Sequence, residues 1–405
     1  KSAGDQILFS PTVDDHQNQF VQRLKEWVAV QSNSGDHTKW GEVERILNMT
    51  AVRIQEMGGT VEFADVGTHQ LPSGETVPLP PVILAEFERD PKKATLCIYG
   101  HVDVQPAKMM DGWTTDPFNL TEIKGNLYGR GATDNKGPVL AWLHAVESYQ
   151  ATEKPPMGIE PTTLVLHGRR IKLIIEGLEE VGSYGLLELT IKGNDSFFAD
   201  VDFIVISDNV KSVGSQSGVT DDVEPLTEDE RKLNHNISFD LVEMKSMAGV
   251  KHFLQDTEVK EHLQHVFSTL KSPNRLRVTA TVGAKPWVAN LKDPQYVAGQ
   301  RAVREVFGVD PELIREGSTI PIAQNFQEET GKSVMMLPIV GHDDGEHSQN
   351  EKTSRYNYIE GMKLFAAYFY EISLLQWIYF HPTCDNDNYA VGDSIVPVEC
   401  LGCHQ

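Results

Sequence analysis

Four short apolar runs in this chain each end in residues that carry charge or can bind a metal. TLCIYG (95–100) runs into His101-Val102-Asp103, and IKLIIEG (171–177) runs into Leu178-Glu179-Glu180. FIVISDN (203–209) ends around Asp208, and VMMLPIVG (334–341) leads into HDDGEHS. Runs of this length and composition predict buried strands. The helix candidate PVLAWLHAVESY (138–149) lies between the first two. Strands alternating with helices predict an α/β fold, a largely parallel sheet flanked by helices. In such sheets, sites gather beyond the carboxyl ends of the strands, so all four polar ends are candidates for one site.

The rest of the chain organises around that sheet. Phe20, Val21, Leu24, Trp27 and Val28 share one face at helical spacing. Val43, Ile46, Leu47, Ile54 and Met57 mark a second helix, stopped by Met-Gly-Gly. A last helix, roughly Tyr358 to Leu375, carries Met362, Phe365, Phe369 and Ile372 on one side. Residues 210–283 change character: a polar stretch, a helix-like VKHFLQDTEVKEHLQHVFSTL and an alternating, strand-like RLRVTATVG. We expect a catalytic domain in two parts, 1–209 and 284–376, interrupted by a small α+β module at 210–283. PPMGIEPTTLVLHGRR (155–170) reads as an atypical insert, and 377–405 as an atypical tail.

Composition narrows the function. The 405 residues carry a formal net charge of -22, which disfavours phosphate backbones and anionic membranes as partners. No apolar run reaches bilayer-spanning length. Asn-x-Ser/Thr triplets at Asn48, Asn119, Asn194 and Asn236 permit secretion but arise often by chance. Of four cysteines, Cys97 sits in an apolar run and reads as a buried thiol. Cys384, Cys400 and Cys403 lie in the tail, with no second C-x-x-C to complete a zinc knuckle.

Each polar strand end has an ordinary explanation when taken alone. Glu179 and Glu180 would suit a solvated turn, and Asp134 in LYGRGATDNKGP would suit a helix N-cap. Together they form a different pattern. His101 and Asp103 stand two apart at a strand end and so face the same way, which lets a carboxylate hold one imidazole nitrogen while the other binds a metal. Asp134, Glu179, Glu180, Asp208 and His347 complete a set of imidazoles and carboxylates that suits zinc or manganese. One aspartate bridging two ions, with a separate carboxylate to take a proton from water, would make a two-metal hydrolytic site.

YGHVDVQP, GRGATDNKGP, IIEGLEEVGS, ISDN and DDGEHSQNE resemble, in order and wording, the M20 metallopeptidases, and within them the carnosine dipeptidases. GATDNKGPVLAW and GSTIPIA lean toward the secreted form, which implies an extracellular protein, with a cytoplasmic one as the alternative. The resemblance implies a zinc-peptidase-like catalytic domain with two divalent ions, Zn2+ or Mn2+. His101, Asp134 and Asp208 would hold one ion, and Asp134, Glu180 and His347 the other, with Asp134 as the bridge. Asp103 would orient His101, and Glu179 would be the general base. Glu316, Gly317, Ser318 and Thr319 in REGSTIP would line the pocket for the ends of a dipeptide such as carnosine.

The resemblance also implies a lid domain that makes a homodimer. Here the stretch after ISDN lacks the family's histidine-bearing HSG, and the stretch after DTEVK lacks its IPxKVxGKxSIR strand. The expectation is therefore a shortened lid, with the dimer in doubt. The competing reading is a splice-like remnant that binds metal and turns over little. An aminoacylase or carboxypeptidase of the same family is a further alternative.

Overall fold

Six strands form the central sheet of the computed structural model. Their spatial order is β1 (Thr60–Ala64), β4 (Val82–Phe87), β8 (Arg170–Glu176), β5 (Thr95–His101), β9 (Phe203–Ile206) and β10 (Ser333–Met336). The structure describes residues 10–71, 73–87, 94–152, 170–208, 256–270, 274–278, 287, 289–311, 321–341 and 343–380. β8, β5, β9 and β10 run parallel, as expected. β4 and β1 add an antiparallel edge. A hairpin of β2 (Thr68–Gln70) and β3 (Thr76–Pro78) stands apart, as does a small sheet of β6 (Thr121–Ile123), β7 (Asn126–Tyr128) and β11 (Lys352–Ser354). Every residue of β5 and β8 is buried, as strands covered on both faces require.

The helices are α1 (Ser10–Asp15), α2 (Gln17–Val28), α3 (Trp40–Glu56), α4 (Lys136–Thr152), α5 (Leu186–Gly193), α6 (Asp256–Thr269), α7 (Pro294–Phe307), α8 (Pro321–Thr330) and α9 (Arg355–Phe380). α2 buries Phe20, Leu24, Trp27 and Val28; α3 buries Val43, Ile46, Leu47 and Ile54. α3 stops where Gly58 turns left-handed at φ +87. α4 has hardly an exposed face, and Val139 to Val146 are all buried. α9 packs along it. Trp142 and Phe365 stack with ring centroids 3.6 Å apart and planes 3° from parallel, a contact worth about 0.5–1.5 kcal/mol beyond the area it buries.

On the other side α4 meets α2 and α3 through a charged knot. Glu147 receives Arg23 at 2.6 Å and Arg53 at 2.5 Å, and His144 stacks on Phe20. Burial holds the His144 imidazole down to about 4, so it is neutral in the core. The Cys97 thiol, expected to be buried, is so, and burial pushes it up to about 12.

Arg170, the last residue of the expected insert, instead opens β8, where it pairs with Glu86 and Asp200. The insert's other residues, the tail from 381, and Glu316, Gly317, Ser318 and Thr319 lie outside the described residues. Within 210–283, α6 matches the helix-like stretch, while 275–278 of RLRVTATVG pair with no strand among the described residues and Leu276 is exposed. Among the described residues, no helix is long and apolar enough to cross a membrane.

Candidate metal centre

Parallel pairing brings the site together. Tyr99 of β5 lies opposite Ile206 of β9, so two residues further on His101 stands beside Asp208. On its other side His101 pairs with Glu176, the last residue of β8, and the chain beyond it carries Glu179 and Glu180 in a tight turn. Gly177 makes the exit possible, because a Cβ there would sit 2.3 Å from Val43. The loop after β7 delivers Asp134 at the start of α4, and the loop after β10 delivers His347. His101, Glu179, Glu180, Asp208 and His347 stand at or beyond the carboxyl ends of parallel strands, while Asp134 arrives from a loop of the small antiparallel sheet.

Two groups of donor atoms result, each with every atom within 4.8 Å of the others: His101, Asp134 and Asp208, and Asp134, Glu180 and His347. Asp134 belongs to both. Its Oδ1 lies 3.0 Å from His101 Nε2, and its Oδ2 lies 2.8 Å from His347 Nε2. Asp208 Oδ2 is 3.5 Å from His101 Nε2, and Glu180 Oε2 is 2.9 Å from His347 Nε2. Asp134 is thus engaged with both imidazoles rather than capping α4, and the Asp134–Asn135 peptide bond is cis. Glu179 is mostly buried and points at the first group, with Oε2 3.8 Å from His101 Nε2. Glu346 is buried beside His347 but belongs to neither group.

Asp103 does more than face His101. Its Oδ1 lies 3.2 Å from His101 Nδ1. Its two oxygens also accept the backbone N–H groups of Glu179 at 3.3 Å and Glu180 at 3.1 Å, which pins the turn to the strand. Two carboxamides escaped the sequence reading although both lie inside its motifs. Gln105 donates from Nε2 to Glu180 Oε2 at 2.8 Å, and its backbone N–H reaches Oε1 at 3.1 Å. Asn135 donates from Nδ2 to Asp208 Oδ1 at 3.3 Å. The sign that would have found them is closeness in sequence: Asn135 follows Asp134 directly and Gln105 lies two residues beyond Asp103, each with a side chain able to donate to a carboxylate.

The electrostatics show what the cluster needs. Among the described residues, Asp103, Asp134, Glu179, Glu180 and Asp208 face two imidazoles, His101 and His347. Burial, then repulsion from Asp134, pushes Glu180 up to about 7. Burial and the neighbouring Asp208, Glu180 and Asp134 hold Glu179 well above the usual carboxylate range, and burial with Asp134 raises Asp208. Burial alone would lower His101, but the charge of Glu179 and hydrogen bonds to Asp103, Asp134 and Asp208 raise it well above the ordinary imidazole. Hydrogen bonds to Asp134 and Glu180 push His347 up to about 11. The same bonds from the two imidazoles keep Asp134 low against its burial. Protons are doing here what cations do, and the oxygen and nitrogen donor set fits divalent transition ions.

Comparison with known proteins agrees with this geometry. Residues 97–371 match peptidase family M20/M25/M40, and the chain belongs to that family. It is therefore a hydrolase that acts on peptide bonds. The chain is 40% identical to the human Beta-Ala-His dipeptidase over 477 aligned positions, covering 90% of this chain and 92% of that one. It is 28% identical to the Cys-Gly metallodipeptidase dug1 of Schizosaccharomyces pombe, over 89% of this chain and 97% of that one. The crystal structure of human carnosine dipeptidase 1 superposes with a TM-score of 0.80 at 38% identity, covering 91% of this chain and 99% of that one.

Proposed function

We propose that this chain is a two-ion dipeptidase that cleaves short peptides of the β-Ala-His type. The carrying observation is Asp134, which turns one oxygen to each of the two ligand groups. His101 and Asp208 complete one ion position, and Glu180 and His347 the other. The relatives named for β-Ala-His and Cys-Gly dipeptides support the substrate class. The remnant reading draws no support from these relatives, which are named as dipeptidases.

Bound ions would lower the pKa of a water molecule and polarise the scissile carbonyl. The chain's own residues do the rest. Glu179 lies beside both groups and belongs to neither, so its carboxylate is placed to take the proton as the water oxygen attacks the carbonyl carbon. The same group then returns a proton to the leaving amine nitrogen as the C–N bond breaks. Asp103 holds His101 and the Glu179–Glu180 turn in register throughout.

The catalytic unit is proposed to comprise 1–209 and 284–376, with 210–283 as a shortened module. The alignment to the human relative runs over 477 positions, more than this chain's 405 residues, so that relative carries residues opposite gaps here. Glu316, Gly317, Ser318 and Thr319 remain the proposed contacts for the ends of the dipeptide, and dimer formation through the shortened module is in doubt. The test is hydrolysis of β-Ala-His and of Cys-Gly by the purified chain, loaded in turn with zinc and manganese, beside a count of bound ions. Two ions and cleavage are expected. A chain that binds no metal sinks the assignment; one that binds two ions and cleaves neither dipeptide sinks the substrate class alone.

A further inference from the structure

Glu351 is fully buried and belongs to neither ligand group. Its carboxylate gathers the backbone of the loop that carries Asp134. Oε1 accepts the N–H groups of Gly131 at 3.0 Å, Thr133 at 3.0 Å and Asp134 at 3.1 Å. Oε2 accepts the Gly131 N–H at 3.1 Å and Arg130 Nη1 at 2.7 Å. The backbone carbonyl of Glu351 accepts the Gly129 N–H at 3.0 Å. The segment that holds Glu351 also holds His347, four residues earlier. Further ties join the two loops: Thr133 Oγ1 donates to Asp344 Oδ2 at 3.2 Å, and Arg130 Nη2 to the Ser348 carbonyl at 3.2 Å.

A carboxylate that only neutralised Arg130 would need the guanidinium and little else. Here three backbone N–H groups from one short loop converge on a single oxygen, and the last belongs to the shared aspartate itself. We propose that Glu351 is a positioning residue that sets the spacing between Asp134 and His347, and through it the affinity of the ion position formed by Asp134, Glu180 and His347. His101 and Asp208 stand at strand ends in register, so the other ion position keeps two of its donors without this clamp. The inference rests on the two-ion reading above.

Cobalt(II) titration of the metal-stripped full chain, followed by visible absorption and calorimetry, tests it. In Glu351→Ala, affinity at the His347 position should fall about 10-fold to 100-fold, with the His101 position held within about threefold. Arg130→Met, which keeps the carboxylate and removes the guanidinium, should leave the ratio of the two affinities unchanged. If Glu351→Ala does not fold, Glu351→Gln takes its place; its single carbonyl oxygen leaves one acceptor fewer, and the same one-sided loss is expected. Equal loss at both positions, or no loss, overturns the clamp. So does an Arg130→Met variant that shifts the ratio as far as the Glu351 variant, because neutralisation alone would then suffice. An unaltered chain that takes up fewer than two cobalt ions overturns the two-ion reading and the clamp with it; two ions there and an unchanged variant overturn the clamp alone.

Discussion

The two proposed ion positions share one aspartate and differ in almost everything else. The inner one, with His101 and Asp208, is built from strand ends, and the His101 side chain is 0% exposed. The outer one, with Glu180 and His347, is built from turns. The His347 side chain is 56% exposed, and its backbone sits in the left-handed region at φ +53. Strand pairing places the inner donors through the register of the sheet. Helpers gather most densely on the outer donors, with Gln105 on Glu180 and Glu351 on the Asp134 loop, while Asp103 serves both sides and Asn135 steadies Asp208. A site can be rigid by pairing or by lacing, and this one uses both.

The comparison can be broken most directly at its shared member. Asp134→Ala should release both ions and abolish turnover, as read by metal analysis of the purified variant; an ion retained at full affinity would mean the positions are independent. Next in size is Glu179→Gln, expected to lower kcat by about 10²–10⁴-fold with both ions kept. If an ion leaves instead, the roles of Glu179 and Glu180 are exchanged. Smaller effects separate the halves. Asp103→Asn touches His101 and the turn together and should weaken both ions, by about 10-fold to 100-fold. Gln105→Ala should weaken the outer ion only, and calorimetric titration distinguishes the two patterns.

The smallest effect comes from outside both positions. His144 is held down to about 4 in the folded core, against an ordinary value near 6.5. Between those values the unfolded chain binds the extra proton, so the stability His144 contributes is complete above about 6.5 and is lost as pH falls toward about 4. His144→Gln should flatten that part of the curve of unfolding free energy against pH and leave both ion affinities unchanged. A changed ion affinity would show that the core behind α4 reaches into the site.

Much of this was legible from the chain alone, and for a physical reason. A parallel strand buried on both faces is a continuous apolar run, so its polar end stands out as TLCIYG does before His101 and IKLIIEG before Glu179. The ligands are of types that metals take, which separates them from the background. The carboxamide helpers are not: Gln105 and Asn135 drew no reading, because a carboxamide holding a carboxylate has no signature of its own. Glu351 lies 220 residues from Gly131, and nothing local announces that pairing. The outermost strand was hidden for another reason: of β1 only Ala64 is buried, so it does not read as a core strand.

The order in which the donors occur along the chain sets a schedule. His101, Asp134 and Asp208 all precede residue 210, while His347 comes well after it, just beyond β10. A chain emerging from the ribosome therefore holds every donor of the inner position while the last donor of the outer one is still unmade. On the two-ion proposal, the inner ion would find all its donors first, and the outer ion would have to wait for the segment beyond β10.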